Sequence, residues 1–463
     1  MRLLIDVQGA QNDSRFRGIG RYANALLAHL IATKAADDEI VLLINGHLAD
    51  GEREVRTAYS GLIGPQNFKV WYPLAPASWG APRNVARRLA SQAIREWVIR
   101  ELAPDCVLVS SLFEGCGDDV VTSIPSRNMP PTAVVFYDLI PYLFPEQYLG
   151  NSLLRGWYDD KLQHLQRADA LLAISQASCR EAVAYLGLPE QRVSNISSGI
   201  DVGAFRKAGA SWPKTAAKYG VSGRYLVYIG AADPRKNLDG LLRAFGSLPP
   251  SDIHDVSIVM VGQMTGGQKQ VLGKIARSFP KGSRQLIFTG HVGDDELIAF
   301  YRNALAFVFP SLHEGFGLPL LEAMAVGCPV IASNCSAFPE VVGVPEALFD
   351  PMSIESMAAL MGKVIRDQAY RDRLVSLQRD RVGLFSWCSV AERAWYAMRR
   401  LAVRTVSGRC QATERVGYAE VIDQVANQLR ISGAPFGDFA LAAEAIERTV
   451  ASVRGPGSAG TGF

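Results

Sequence analysis

Short apolar runs recur along the chain, separated by segments whose apolar residues fall at helical spacing. In the first half the runs predict strands over 3–7, 40–44, 105–110, 133–136 and 171–175. In the second half they predict strands over 224–230, 257–261, 286–289, 307–309 and 329–332. Between them, Ala23, Leu26, Leu27 and Leu30 share one face of a helix predicted over 20–33. Further helices are predicted over 82–102, 178–185, 294–304, 318–326 and 389–401, with another from Leu238 and two after Asp350. Strands alternating with helices in this way imply an α/β fold built on parallel sheets.

The alternation occurs as two series. Residues 202–223 between them are polar and poorly periodic, so the pattern divides into a first domain (1–201), an interdomain crossing (202–223) and a second domain (224–385). A terminal helix (386–401) and a tail (402–463) of unknown role follow. The tail could form two short helices, over 418–429 and 439–453, and ends in a flexible Gly/Ser composition. No short internal repeat is visible.

The most informative stretch runs from Phe307 to Val342. A strand stopped by Pro310 leads through Gly315, Phe316 and Gly317 into a helix that starts at Leu318, carries Pro319 in its first turn and stops at Gly327. A glycine-lined helix start presents N–H groups and the positive end of a dipole to an anion. Glu314 lies just before it and Glu322 about a turn inside it. Two glutamates at this spacing are usually solvated surface. Here the apolar strand–turn–helix frame places them at the carboxyl edge of a sheet, where open α/β folds bind ligands. The first strand of the second series ends at Gly230, and Arg235 and Lys236 follow before the next helix. Exposed cations are ordinarily solvated, but at a strand–helix junction such a pair suits a diphosphate. In the first series Tyr137 and Asp138 stand at a strand end, either as site residues or as simple caps of the turn.

The segment EGFGLPLLE, with Glu314 and Glu322 as an E-x7-E pair, continues into the turn Phe338-Pro339-Glu340-Val341. It resembles the retaining, nucleotide-sugar-dependent glycosyltransferases of family 4, and the resemblance covers roughly residues 1–401. That family implies a GT-B fold, two Rossmann-like domains with parallel sheets facing a central cleft. It implies a donor in the second domain, with Glu322 on the ribose hydroxyls and Glu314 serving the sugar and the developing positive charge. Lys236 and Arg235, with the N–H groups near Gly315 and Phe316, would neutralise the departing diphosphate. Gly230, Gly317 and Leu318 would line the same donor site, and the backbone at His291 and Val292 would meet the base. Relatives often carry Arg directly after the strand-ending glycine; this chain has Ala231, and the sequence leaves open whether Arg235 replaces that charge.

Gly18, Gly20 and Ala23 match a dinucleotide-binding pattern, yet about ten residues separate Gly18 from the preceding strand where that fingerprint requires a tight turn. A nicotinamide site is therefore disfavoured, and a glycine loop approaching the donor diphosphate or its sugar fits better. The Tyr137-Asp138 pair corresponds to a His-Asp or Tyr-Asp pair that touches donor sugar or acceptor in the family. The tract from Asp138 to Glu146 resembles mannosyltransferases that build bacterial polysaccharides. The expected activity is thus retaining hexosyl transfer, with mannose from GDP-mannose preferred, to a lipid-linked or oligosaccharide acceptor. GDP-rhamnose, UDP-glucose and dTDP-rhamnose remain alternative donors, and a sugar-nucleotide-binding scaffold without catalysis is an alternative role. A glycosidase using Glu314 and Glu322 as its carboxylate pair is disfavoured because Lys236 would have no task. No cofactor and no metal is expected, since the isolated Asp-x-Asp motif of metal-dependent transferases is missing.

Composition narrows the partners. A net charge of +3 on 463 residues gives no case for nucleic acid. Seven scattered cysteines without a C-x-x-C pair suit reduced thiols in a cytoplasm. The amino terminus reads as a strand rather than a signal peptide, and no run approaches the ~18 apolar residues of a spanning helix. Arginines at 83, 87, 88, 95 and 100 stud one predicted helix against only Glu96 and Glu101. That helix is either a solvated face or, over 83–100, a basic surface for peripheral contact with anionic lipid at the inner face of the cytoplasmic membrane.

Overall fold

The computed structural model describes residues 1–125, 129–207, 209–277, 279, 286–408 and 418–454. The chain divides into two units. Met1–Ile174, Ser178–Ser197 and Trp387–Phe463 form the first, and Ser175–Ala177 with Ser198–Ser386 form the second.

The first unit carries strands β1 (Arg2–Asp6), β2 (Glu39–Asn45), β3 (Phe68–Trp71), β4 (Cys106–Val109), β5 (Thr132–Phe136), β6 (Ala170–Ala173) and β7 (Val193–Asn195). They pair in parallel in the order β3-β2-β1-β4-β5-β6-β7. Leu3, Leu4 and Ile5 of β1 are all buried, as expected of a central strand covered on both faces. The order reverses between β1 and β4, so the loops after those strands diverge and leave a crevice at the carboxyl edge.

The second unit repeats the plan with β8 (Arg224–Ile229), β9 (Val256–Val261), β10 (Leu286–Gly290), β11 (Ala306–Phe309), β12 (Val330–Ser333) and β13 (Leu348–Phe349). These are also parallel, in the order β10-β9-β8-β11-β12-β13, and the crevice falls between β8 and β11.

The structure departs from the sequence pattern in several places, among them the helices Ala49–Tyr59, Ser152–Arg167 and Gly266–Ala276, which the spacing did not predict. Strands β3, β7 and β13 were not expected; they span two to four residues, and the first is interrupted by Lys69, too little for alternation to register. Residues 202–223, expected as an irregular crossing, contain helices Val202–Arg206 and Trp212–Tyr219. Trp212 stacks on Tyr225 at 5.3 Å between centroids, so this segment is packed onto the second sheet by one aromatic anchor.

The tail is not a separate appendage. Its helices, Tyr418–Ile431 and Phe436–Arg454, put Val421, Val425, Leu429, Ala442, Ile446 and Val450 into the same core as Ile94, Trp97 and Val98. They also cover the open edge of β3. The Val70 N–H donates to Ser452 Oγ at 3.0 Å, and the Tyr72 N–H to Thr449 Oγ1 at 3.0 Å. Both groups would otherwise template pairing with another strand.

The arginine-studded helix, Val85–Leu102, does not present the basic face considered for it. Arg95 is fully buried, its Nη2 2.6 Å from Asp6 Oδ2. Arg87 pairs with Asp438 at 2.7 Å, Arg88 lies 3.9 Å over the Trp79 ring, and Arg100 donates to Gln424 at 3.3 Å. Of the five, Arg83 is the one classed as exposed. The expected lipid-facing surface over 83–100 is therefore largely spent on contacts within the first unit, because the tail helices occupy that side. Among the described residues no helix is long and apolar enough to cross a membrane.

Candidate functional site

The carboxyl edge of the second sheet is cleared of side chains where three neighbouring strands end. Gly230, Gly262 and Gly290 follow or close β8, β9 and β10 with φ of 147°, 136° and 71°. A Cβ on Gly262 would sit 2.3 Å from the Gly230 carbonyl oxygen, so only glycine allows these two chain turns to stack. This leaves a ledge of bare backbone beside the crevice.

Into the crevice the loops deliver charge. After Gly230, a short 3₁₀ turn (Pro234–Lys236) is capped by Asp233, whose carboxylate accepts from the Arg235 N–H at 3.0 Å. Asn237 leaves the turn at φ 54°, and its amide donates to the Pro351 carbonyl at 2.8 Å. The turn is thereby fixed, and its two cations point toward the loop after β11. Arg235 Nη1 reaches the Glu314 carboxylate at 2.7 Å and the His313 carbonyl at 2.8 Å. Lys236 Nζ pairs with the same Glu314 oxygen and lies 5.0 Å over the Phe309 ring. All three side chains are 12–14% exposed, shielded enough that their attraction is weakly screened.

Glu314 is held in place from its backbone as well. Its N–H donates to Ser336 Oγ at 3.0 Å, and the Ser336 hydroxyl donates back to the Glu314 carbonyl. Burial by itself would raise the Glu314 pKa, but Lys236 and Arg235 overcome that and hold it below the ordinary glutamate value. Glu314 is thus a carboxylate and not a proton donor, which is inconsistent with the general acid of a glycosidase.

Gly317, at φ 97°, turns the chain into the helix Leu318–Val326. Phe316 is buried and packs edge-on against Phe385 at 5.7 Å, so it anchors this turn through its ring. Glu322 projects one turn into the helix and accepts from the Tyr301 hydroxyl at 3.1 Å. After β10, His291 is exposed and Val292 buried, just before the helix Asp294–Asn303. The second unit therefore brings Arg235, Lys236 and Glu314 into one ionic cluster, with Gly230 at the preceding strand end and Glu322 on the adjoining helix.

The other candidates belong to the first unit. Tyr137 Oη contacts the Ser110 carbonyl at 3.0 Å and the Ile19 carbonyl at 3.4 Å, and its ring meets Tyr22 edge-on at 5.5 Å. Burial pushes its phenol well above the usual tyrosine range, so it is a fixed hydrogen-bond donor. Asp138 accepts from the Ile140 N–H at 3.0 Å, the capping arrangement weighed as its simpler role. Gly18 opens the helix Gly18–Thr33, two residues earlier than the periodicity suggested. A Cβ on Gly20 would lie 2.2 Å from the Ser14 carbonyl oxygen, so that glycine lets the helix pack on the preceding turn.

Sequence reasoning missed three polar residues. Ser336 and Tyr301 act on the two glutamates, as described. Glu114, in the crevice of the first unit, accepts from Asn12 Nδ2 at 2.7 Å, Ser111 Oγ at 2.8 Å and Ser14 Oγ at 3.0 Å. Its pKa is raised by burial, against the pull of those donors. A carboxylate four residues after a predicted strand was the available signal. Among the described residues no group of three or more His, Cys, Asp or Glu is placed to hold a metal ion.

Comparison with known proteins fits this geometry. Residues 217–381, which contain the whole ionic cluster, match the family model described as glycosyl transferases group 1. The chain is 36% identical over 405 residues to the serotype-specific mannosyltransferase WbdA of Escherichia coli, covering 87% of this chain and 48% of that protein. It thus spans about half the length of that relative. It is 30% identical over 269 residues to O-antigen chain mannosyltransferase B of Escherichia coli, covering 57% of this chain and 68% of the relative. Among solved structures, sucrose-phosphate synthase from Thermosynechococcus elongatus shares the fold with a TM-score of 0.60 at 17% identity, over 87% of this chain and 99% of that one. With two doubly wound parallel sheets, the E-x7-E element in place and these relatives, the chain belongs to the group 1 glycosyl transferases of the family 4 type, on a GT-B fold.

Proposed function

We propose that the protein transfers mannose from GDP-mannose to a glycan acceptor, oligosaccharide or lipid-linked, in bacterial surface polysaccharide synthesis, with retention at the anomeric carbon. The observation that carries this reading is Glu314, held as a carboxylate between Arg235 and Lys236 at the β8/β11 crevice. Similarity to two mannosyltransferases supports the choice of sugar.

In the reaction the anomeric carbon exchanges its bond to the diphosphate oxygen for one to an acceptor hydroxyl oxygen. The electron pair of the broken bond leaves with the nucleoside diphosphate, and the hydroxyl proton ends on that leaving group. Negative charge grows on the diphosphate, where Arg235 and Lys236 provide two preorganised donors at a shielded site. Positive charge grows on the sugar ring, where the Glu314 carboxylate stabilises it. In this reading the cationic pair does the work that a divalent metal does elsewhere, and no metal is needed. Glu322 accepts from the ribose hydroxyls, and the backbone ledge at Gly230 and around His291 and Val292 lets the nucleotide approach the sheet edge closely.

The test combines binding with turnover. GDP in hundredfold excess over its dissociation constant should stabilise the native state by about 2.7 kcal/mol in thermal unfolding. Labelled GDP-mannose with a mannooligosaccharide acceptor should give an α-linked product, at a rate unchanged by EDTA. Stabilisation by UDP and not GDP rejects GDP-mannose. A β-linked product rejects retention, a loss of rate in EDTA rejects metal independence, and donor binding without product leaves a binding scaffold.

A further inference from the structure

Tyr301 is buried to 0% exposure at the inner face of the helix Asp294–Asn303, yet it carries a polar group. Its hydroxyl faces two acceptors, Glu322 Oε2 at 3.1 Å and the Pro319 carbonyl at 3.3 Å. A phenol has one proton to give. The carboxylate is the nearer acceptor and offers a charge-assisted bond, so the proton goes to Glu322. The ring cannot swing away, because it packs edge-on against Phe307 of β11 at 5.5 Å and 86°. Tyr301 therefore ties the Glu322 carboxylate to the sheet through one rigid aromatic strut.

We propose that Tyr301 is a positioning residue for nucleotide recognition: it sets the Glu322 carboxylate in the orientation that accepts from both ribose hydroxyls of the donor. This rests on the reading of Glu322 as the ribose ligand. A glutamate on a helix has three rotatable bonds, and gripping a vicinal diol requires both of its oxygens at once. Fixing Oε2 from behind removes most of that freedom before the ligand arrives, so less entropy is lost on binding. The same bond links the helix Asp294–Asn303 to the helix Leu318–Val326, which precede and follow β11 in the chain.

Tyr301→Phe keeps the ring and removes only the hydroxyl. Binding of GDP and UDP, each compared with its 2′,3′-dideoxy analogue, is measured calorimetrically on the wild type, Tyr301→Phe and Glu322→Gln. In the wild type, loss of the two ribose hydroxyls should weaken binding at least tenfold. In Tyr301→Phe the ribonucleotide should bind about two- to tenfold more weakly, the cost of immobilising a glutamate side chain that the hydroxyl no longer holds. The dideoxy nucleotide should be nearly unaffected, so the ratio between the two collapses. A merely structural role would weaken both nucleotides equally and leave the ratio unchanged, and that outcome overturns the proposal while Glu322 keeps its role. A wild type that does not distinguish the two sugars, or that binds neither nucleotide, overturns the reading of Glu322 and the proposal together. Glu322→Gln losing the ratio while Tyr301→Phe retains it overturns the role of Tyr301 alone.

Discussion

Arg235 and Glu314, 79 positions apart, meet at 2.7 Å, and the Glu314 oxygen that Arg235 contacts also accepts Lys236. One carboxylate thus sits between a guanidinium and an ammonium group that would otherwise repel each other at a shielded strand edge, and one positive charge is left over. The arrangement resembles a site set for an anion with its place held by an internal one. A diphosphate brings more charge than a single carboxylate, so in the mechanism proposed above it would compete with Glu314 for the two cations.

Glu314→Ala should separate binding from chemistry. The two cations lose their internal competitor, so the affinity for GDP should stay equal or rise. Turnover should fall by about 100-fold, as when other preorganised charges facing a transition state are removed. Steady-state kinetics beside a binding titration checks this, and an unchanged kcat would remove Glu314 from the chemistry.

Lys236→Ala should lose turnover by roughly 100-fold or more, because the departing diphosphate keeps only one of its two cations. Kinetics with GDP-mannose decides it. A loss under about threefold would assign Lys236 the small worth of an ordinary surface cation.

Lys161 gives a pH signature of the first unit. It is buried, donates to the Thr122 carbonyl at 2.7 Å and Thr122 Oγ1 at 2.8 Å, and burial lowers its pKa from 10.5 to about 8. Between about 8 and 10.5 the unfolded chain holds this proton and the folded chain has released it. Stability from this group therefore rises with pH across that window and is lowest below it. The difference in unfolding free energy between wild type and Lys161→Met, followed by urea denaturation, should shift in favour of the wild type over that range. A flat difference would count against the depressed pKa.

Arg95→Ala should destabilise the first unit by about 3–5 kcal/mol, since it strands the Asp6 carboxylate, 1% exposed, without its guanidinium. Arg83→Ala, at an exposed position of the same arginine series, should change stability by less than about 0.5 kcal/mol. Urea unfolding of the two variants distinguishes a basic surface from a buried ion pair.

Leu429→Ala, in the tail, should cost about 2–5 kcal/mol, as for any large side chain removed from a packed core. A fully exposed tail would lose almost nothing, so denaturant midpoints settle whether the last helices belong to the first unit's core.

The local signals were sufficient for the repeated α/β plan. Continuous apolar runs such as Leu3 to Ile5 or Phe307 to Phe309, bounded by turn residues and alternating with helical patterns, suit central strands of a parallel sheet, and Gly317, Pro319 and Gly327 punctuate their helix by backbone geometry. The same was true of Glu314, Glu322, Arg235 and Lys236 as candidates, since strand ends and helix starts are readable from neighbours in sequence. What the tertiary structure decided was pairing. That Arg235 and Lys236 converge on one oxygen of Glu314, that Tyr301 holds Glu322, and that Arg95 is buried against Asp6 depends on strand order and helix packing across tens of residues. Charge on a helical pattern looks the same whether solvent or another helix covers it, so the arginines of 83–100 read as a surface until the tail helices were seen to occupy their side. The tail itself has ordinary amphipathic periodicity, and only its contacts with β3 and the helix Val85–Leu102 give it a place in the fold.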